Sequence, residues 1–118
     1  MRDVVKAAKA LSNETRIRIL NLLRERECCV CEVMEVLDIS QTKASRNLNI
    51  LLNAGFLSLR HDGLWAYYSI DKRGPRKYIS AFLKAVQLGV SGDNTTAKDV
   101  RRLKQSEPAG PQCCTKSR

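Results

Sequence analysis

Up to Gly55 the apolar residues of this 118-residue chain recur at helical spacing, and beyond it they alternate. That one change of period limits the chain to a helical body carrying a hairpin. Val4, Ala7, Ala8 and Leu11 form a first helical stripe over residues 3–11. Ser12 or Asn13 offers an N-cap for a helix from Glu14 to about Glu25. In it Ile17, Ile19, Leu20, Leu22 and Leu23 cover a wide arc, as expected of a helix that touches neighbours on several sides. Val30, Val33, Val36 and Leu37 mark a short third helix, and Asp38-Ile39-Ser40 separates it from a fourth, Gln41 to about Ala54. Gly55 stands where a helix end favours a left-handed residue. Leu57 and Leu59 then alternate with Ser58 and Arg60, Asp62-Gly63 is a hairpin-turn signal, and Trp65 to Ile70 reads as the returning strand. Gly74-Pro75 punctuates, with Pro75 suited to the first turn of a last helix striped by Tyr78, Ile79, Phe82, Leu83, Val86 and Val90.

The resulting fold class is mainly α with a β-hairpin, in the order α-α-α-α-β-β-α: a winged helix-turn-helix occupying residues 1–90. From Ser91 on, Val100 and Leu103 are the only large aliphatics. Residues 91–118 are therefore expected to form a disordered basic tail, with a transient helix around Ala97 to Gln105.

Lys and Arg number 21 against 12 Asp and Glu, a formal net charge of +9. So large an excess in a short chain points to a polyanionic partner. No apolar run approaches the roughly 18 residues of a membrane span, so no membrane role is expected. The opening Met1-Arg2-Asp3-Val4-Val5-Lys6 turns polar too early for a signal peptide, which makes the cytoplasm the expected compartment. No Gly-rich phosphate loop is present, and the residues six after Cys28, Cys29 and Cys31 are Met34, Glu35 and Leu37, not the arginine of a Cys-x5-Arg loop. Neither an enzyme nor an organic cofactor is expected.

The fourth helix carries the clearest interface signal. Ala44, Leu48, Leu51 and Leu52 share one side, while Thr42, Arg46, Asn49 and Asn53 lie nearly opposite, with Ser45 flanking. All these polar groups can donate hydrogen bonds, and residues 39–61 contain no acid. Such a face suits double-stranded DNA: Gln, Asn and Arg pair with base edges, and Ser and Thr reach bases or phosphates. Ser40 as N-cap would turn the first backbone N–H groups toward a phosphate. The expected DNA-binding set is Ser40, Gln41, Thr42, Ser45, Arg46 and Asn49, with Arg60 and His61 from the hairpin. Arg60, His61, Lys72 and Arg73 would grip flanking phosphates or the minor groove. Trp65, Tyr67 and Tyr68 read as packing residues of the hairpin. Ile50, on the polar side, fits neither role.

Five cysteines fall in two groups: Cys28, Cys29 and Cys31, then Cys113 and Cys114. An odd count and adjacent pairs argue against a disulfide framework and favour soft-metal or redox chemistry. Cys29 and Cys31 on an ideal helix would sit about 200° apart, so their sulfurs converge only where the segment is extended.

The segments Glu27-Cys28-Cys29-Val30-Cys31-Glu32, Ser40 to Leu48 (SQTKASRNL), Ala54-Gly55 and Gly63 to Tyr68 (GLWAYY) together resemble the ArsR/SmtB family, more narrowly its arsenic-responsive repressors. The likeness covers residues from about 3 to 90. It implies a homodimer joined by the first and last helices, whose apo form binds an inverted-repeat operator and is released by inducer. Val4, Ala8, Leu11, Ile79, Phe82, Leu83 and Val86 provide apolar surface for such a contact. The implied inducer is As(III) or Sb(III), a soft centre that takes three thiolates. The first two match Cys29 and Cys31. Where the resemblance places a third cysteine this chain has Met34, a weak thioether ligand, which leaves Cys28, or Cys113 or Cys114 of the tail, as the third sulfur. The alternative reading is a thiol-redox-sensing repressor of the same fold.

Overall fold

The computed structural model describes residues 1–71 and 76–106. Six helices and one hairpin follow in the order α1 (Arg2–Ala10), α2 (Glu14–Glu25), α3 (Val30–Leu37), α4 (Gln41–Asn53), β1 (Leu57–Asp62), β2 (Trp65–Ile70), α5 (Lys77–Val90) and α6 (Asn94–Gln105). The expectations for Lys72, Arg73, Pro75, Cys113 and Cys114 lie outside the described residues.

Local chemistry sets most boundaries. The Asn13 side chain caps α2 by accepting from the Arg16 N–H at 3.1 Å, and Ser40 caps α4 from the Lys43 N–H at the same distance. Asp38 ends α3 in the left-handed region, at φ 56° and ψ 54°. Asp tolerates that conformation better than most residues, and it makes the tight turn from α3 into α4. Gly55, at φ +97°, reverses the chain from α4 into β1.

The hairpin is antiparallel, pairing Leu57 with Ile70 and Asp62 with Trp65. Gly63 and Leu64 are therefore its two loop residues, one position beyond the Asp62-Gly63 turn anticipated from the sequence. Gly63 takes φ +62° as the first of the two, where a type II′ turn requires glycine.

α2 lies at the centre, and Ile19, Leu20, Leu22 and Leu23 are all buried. They pack with Val33, Val36, Leu48, Leu51 and Phe56 from α3, α4 and the turn after α4. Ile50 is explained: it is half-buried and packs against this core rather than facing solvent.

Residues 91–106 correct the expectation of a disordered tail. Instead of a transient helix, α6 is capped by Asp93, whose side chain accepts from the Thr96 N–H at 2.9 Å, and it lies against α2 and α3. Its inward stripe is Thr96, Asp99, Val100 and Leu103, with Leu103 fully buried. Asp99 receives two hydrogen bonds of 2.9 Å from Arg18 on α2, and Arg102 donates to the Glu35 carbonyl of α3 at 2.9 Å. The stripe has helical spacing, but half of it is polar, so an apolar-periodicity reading passes over it.

Candidate functional site

The acid-free face of α4 is solvent-accessible where it was expected to be. Gln41, Thr42, Arg46 and Asn49 are exposed, Ser40 is exposed at the cap, and Ser45 is half-buried. The opposite side, Ala44, Leu48 and Leu51, is anchored in the core.

Arg16 fixes this helix to the rest of the domain. Its Nη1 donates to Asn47 Oδ1 at 2.9 Å, its Nε to the Ala10 carbonyl at 2.7 Å and its Nη2 to the Lys9 carbonyl at 3.3 Å. One half-buried guanidinium thus ties the end of α1 and the start of α2 to α4. Asn47 is buried and also donates to the Lys43 carbonyl at 2.9 Å. Arg16, Lys43, Arg46, Asn13, Ser40, Thr42 and Asn47 surround a cleft of about 420 Å³ at the mouth of α4. Three cations and a helix N-terminus around one opening make an anion-seeking surface. The sequence reading missed Lys43, Arg16 and Asn47. For Asn47 the signal was present: an amide stands in the apolar arc between Ala44 and Leu51.

The cysteine segment leads into α3, the helix that packs on α4. Arg26 and Cys29 are both extended, with φ −167° and −87°, and Cys28 pairs antiparallel with Tyr68 of β2. Cys28 N–H donates to the Tyr68 carbonyl at 3.0 Å, and Tyr68 N–H to the Cys28 carbonyl at 2.8 Å. The segment thereby adds one strand residue to the edge of the hairpin.

Cys29 is the N-cap of α3 and not part of it. This defeats the geometry that would separate Cys29 from Cys31 on a continuous helix, and their Sγ atoms stand 3.4 Å apart. Glu32 holds the cap in place. Its buried carboxylate accepts the Cys29 N–H at 3.1 Å and pairs with Arg26. Cys28 is engaged elsewhere, its thiol 3.6 Å from the Arg26 carbonyl. Burial, reinforced by the nearby Glu32 carboxylate, pushes the Cys28 thiol up to about 12. The expected cluster of Cys28, Cys29 and Cys31 is therefore a pair with a separate third thiol. Among the described residues no three Cys, His, Asp or Glu side chains are grouped to hold one ion. Met34 is half-buried against the core.

Arg60 and His61 of the hairpin differ from one another. His61 is exposed, whereas Arg60 is engaged. Arg60 Nε donates to Glu27 Oε2 at 2.9 Å, its Nη2 pairs with Oε1, and its guanidinium lies 4.6 Å from the Tyr67 ring centroid. The Arg60 hydrogen bonds hold the Glu27 carboxyl below its usual range, so the pair stays ionised through that range and is lost only as pH falls through the lowered value.

Known proteins resemble this chain in sequence and fold. The pattern of the bacterial regulatory protein arsR family matches residues 13–58. The arsenic resistance transcriptional regulator ArsR1 of Pseudomonas putida is 37% identical over 90% of this chain and 83% of its own length. The cadmium resistance transcriptional regulatory protein CadC homolog of Staphylococcus aureus is 40% identical over 69% of each chain. Among solved structures, a homodimeric winged helix-turn-helix DNA-binding domain from Mycobacterium bovis, a possible ArsR-family transcriptional regulator, superimposes with a TM-score of 0.64. It is 28% identical, and the match covers 79% of this chain and 82% of that one.

Proposed function

We propose that this chain, which belongs to the ArsR family of DNA-binding bacterial transcriptional regulators, is a metalloid-responsive repressor that releases operator DNA when As(III) or Sb(III) binds its cysteines. The observation that carries this reading is the Cys29–Cys31 sulfur contact of 3.4 Å at the start of α3, the helix that packs on α4. Two sulfurs on one ion, at thiolate bond lengths of about 2.3 Å, must lie within about 4.6 Å of each other, and this pair meets that condition without rearrangement.

The apo-protein acts as a homodimer on double-stranded DNA. Ser40, Gln41, Thr42, Ser45, Arg46 and Asn49 face the bases and adjacent phosphates, and Lys43 and Arg16 add charge at the mouth of α4. The hairpin, with Arg60 and His61, lies along the flanking backbone. Cys29 and Cys31 supply two thiolates to the inducer. A third comes either from Cys28, which must give up its bond to the Arg26 carbonyl, or from Cys113 or Cys114. Arsenic trihydroxide and three thiols yield the trithiolate and three waters, with no oxidant required. Distorting the α3 start favours a form poor for DNA, and by linkage DNA must oppose inducer to the same degree. The cytoplasm suits both partners, since it holds DNA and keeps thiols reduced.

The test is fluorescence anisotropy on a duplex selected by the apo-protein from a random pool, titrated with arsenite under reducing conditions. Release by arsenite, lost in Cys29→Ser and Cys31→Ser, is expected. Undiminished binding at saturating arsenite overturns the proposal. The same sulfur contact favours one second reading, in which peroxide closes Cys29 and Cys31 to a disulfide with loss of two waters. Release by peroxide but not by arsenite selects it.

A further inference from the structure

The residues just before the cysteine pair are bound to the hairpin at two neighbouring points. Glu27 chelates Arg60 of β1 through two hydrogen bonds, and Cys28 exchanges two backbone hydrogen bonds with Tyr68 of β2. Arg60 stands directly across the ladder from Tyr67 and stacks on its ring. The guanidinium is therefore held on three sides: by a carboxylate along one edge, by an aromatic face beneath, and by its own strand.

Arginine presents its donors as a rigid planar fork. Glu27 occupies the Nε and Nη2 edge and leaves Nη1 unused by that pair. A guanidinium chelated on one edge and stacked on one face has little rotamer freedom left, so an anion meeting its remaining donors pays less of the ordering cost. The Glu27 side chain is two residues from Cys29, and the intervening Cys28 is fixed to β2. A backbone change at Cys29 that frees Cys28 from β2 moves Glu27 with it.

We propose that Glu27 is a positioning residue of the DNA interface: it aims Arg60 at a backbone phosphate, and through it the state of the Cys29–Cys31 pair sets how well the hairpin grips DNA. This rests on the metalloid-sensing reading for its regulatory half and on DNA binding alone for its positioning half. The two halves are separable. In the apo-protein the aimed Arg60 strengthens duplex binding. When the cysteine pair is occupied the strap is pulled, Arg60 loses its orientation, and the hairpin contributes less.

The experiment compares wild type, Glu27→Gln, Arg60→Gln and the double variant on one selected duplex, with and without arsenite. Exposed ion pairs contribute little to stability, so the variants are expected to fold, and circular dichroism checks this. Glu27→Gln should weaken apo binding by about threefold to tenfold, and Arg60→Gln by at least as much. The double variant should match Arg60→Gln, because removing the aim of an absent guanidinium costs nothing further. The arsenite-induced drop in affinity should also shrink in Glu27→Gln. Wild-type affinity in Glu27→Gln overturns the proposal. So does tighter binding, which would make Glu27 a competitor of the phosphate. Additive losses in the double variant overturn it as well. If arsenite fails to release wild type, the sensing reading falls while the apo affinities still judge the positioning role.

Discussion

The two C-terminal helices of the described chain invert what their compositions suggest. α5 is apolar along much of its length, yet only Ile79 is fully buried, and Leu88 is 68% exposed. α6 is among the most polar segments, yet Thr96, Asp99 and Leu103 are buried and Asp99 keeps just 2% of its surface. Burial follows the availability of a partner. Arg18 is within reach of Asp99, so a carboxylate goes inside; among the described residues nothing covers Leu88 on the outer face of α5, so that aliphatic stays at the surface. Val4 and Val5 of α1, beside α5, are likewise about two-fifths exposed. The contrast makes α6 part of the domain body and leaves the α1–α5 surface open, the surface proposed here for contact between two subunits; the Mycobacterium bovis relative is homodimeric.

Breaking the α1–α5 surface should have the largest effect. Val4→Glu combined with Val86→Glu is expected to give a monomer by light scattering. Duplex affinity should fall by about a hundredfold or more, because two half-sites no longer act together, while the thermal midpoint of the monomer moves little. Breaking α6 should do the reverse. Leu103→Ala is expected to cost about 2–4 kcal/mol in urea unfolding, with the dimer intact by the same light-scattering measurement. Asp99→Ala strips Arg18 of its partner. Because Arg18 is partly solvated, the loss should be below the roughly 3–5 kcal/mol of a fully buried pair, about 2 kcal/mol, with Asp99→Asn milder. The smallest effect is expected from Asp93→Ala, which removes the N-cap of α6 for about 1 kcal/mol and should appear as faster amide exchange confined to its first turn. A monomer produced by Leu103→Ala, or a stability collapse in the α1–α5 variant, would erase the distinction.

The same comparison explains how much was legible beforehand. The helix-turn-helix and hairpin could be read because each rests on signals within a few residues: the caps Asn13 and Ser40, the Asp38-Ile39-Ser40 break, the left-handed position at Gly55, and the change of period there. The exposed α4 face was readable because exposure leaves donor chemistry visible in composition. α6 was not, since its inward stripe hides behind Thr and Asp, and polar residues look like surface until their partner is known. The cysteine segment falls between. Its sulfur chemistry is plain from residue type, but which thiols meet depends on Cys28 being drawn onto β2 and on Cys29 staying outside α3.

The amino-acid order by itself therefore determined the succession of elements as far as α5, the turns to within a residue, the cationic character of the chain and the acid-free face of α4. All of these arise from interactions along the chain or from charge, which needs no fold to count. Tertiary structure alone decided that Arg18 reaches Asp99, 81 positions away, and that Glu27 holds Arg60, 33 positions away. It also set Cys29 and Cys31 apart from Cys28. Such pairings exist only after the core has closed, because the packing of Leu20, Leu48 and Phe56 brings distant backbone within hydrogen-bond range, and no local spacing encodes that distance.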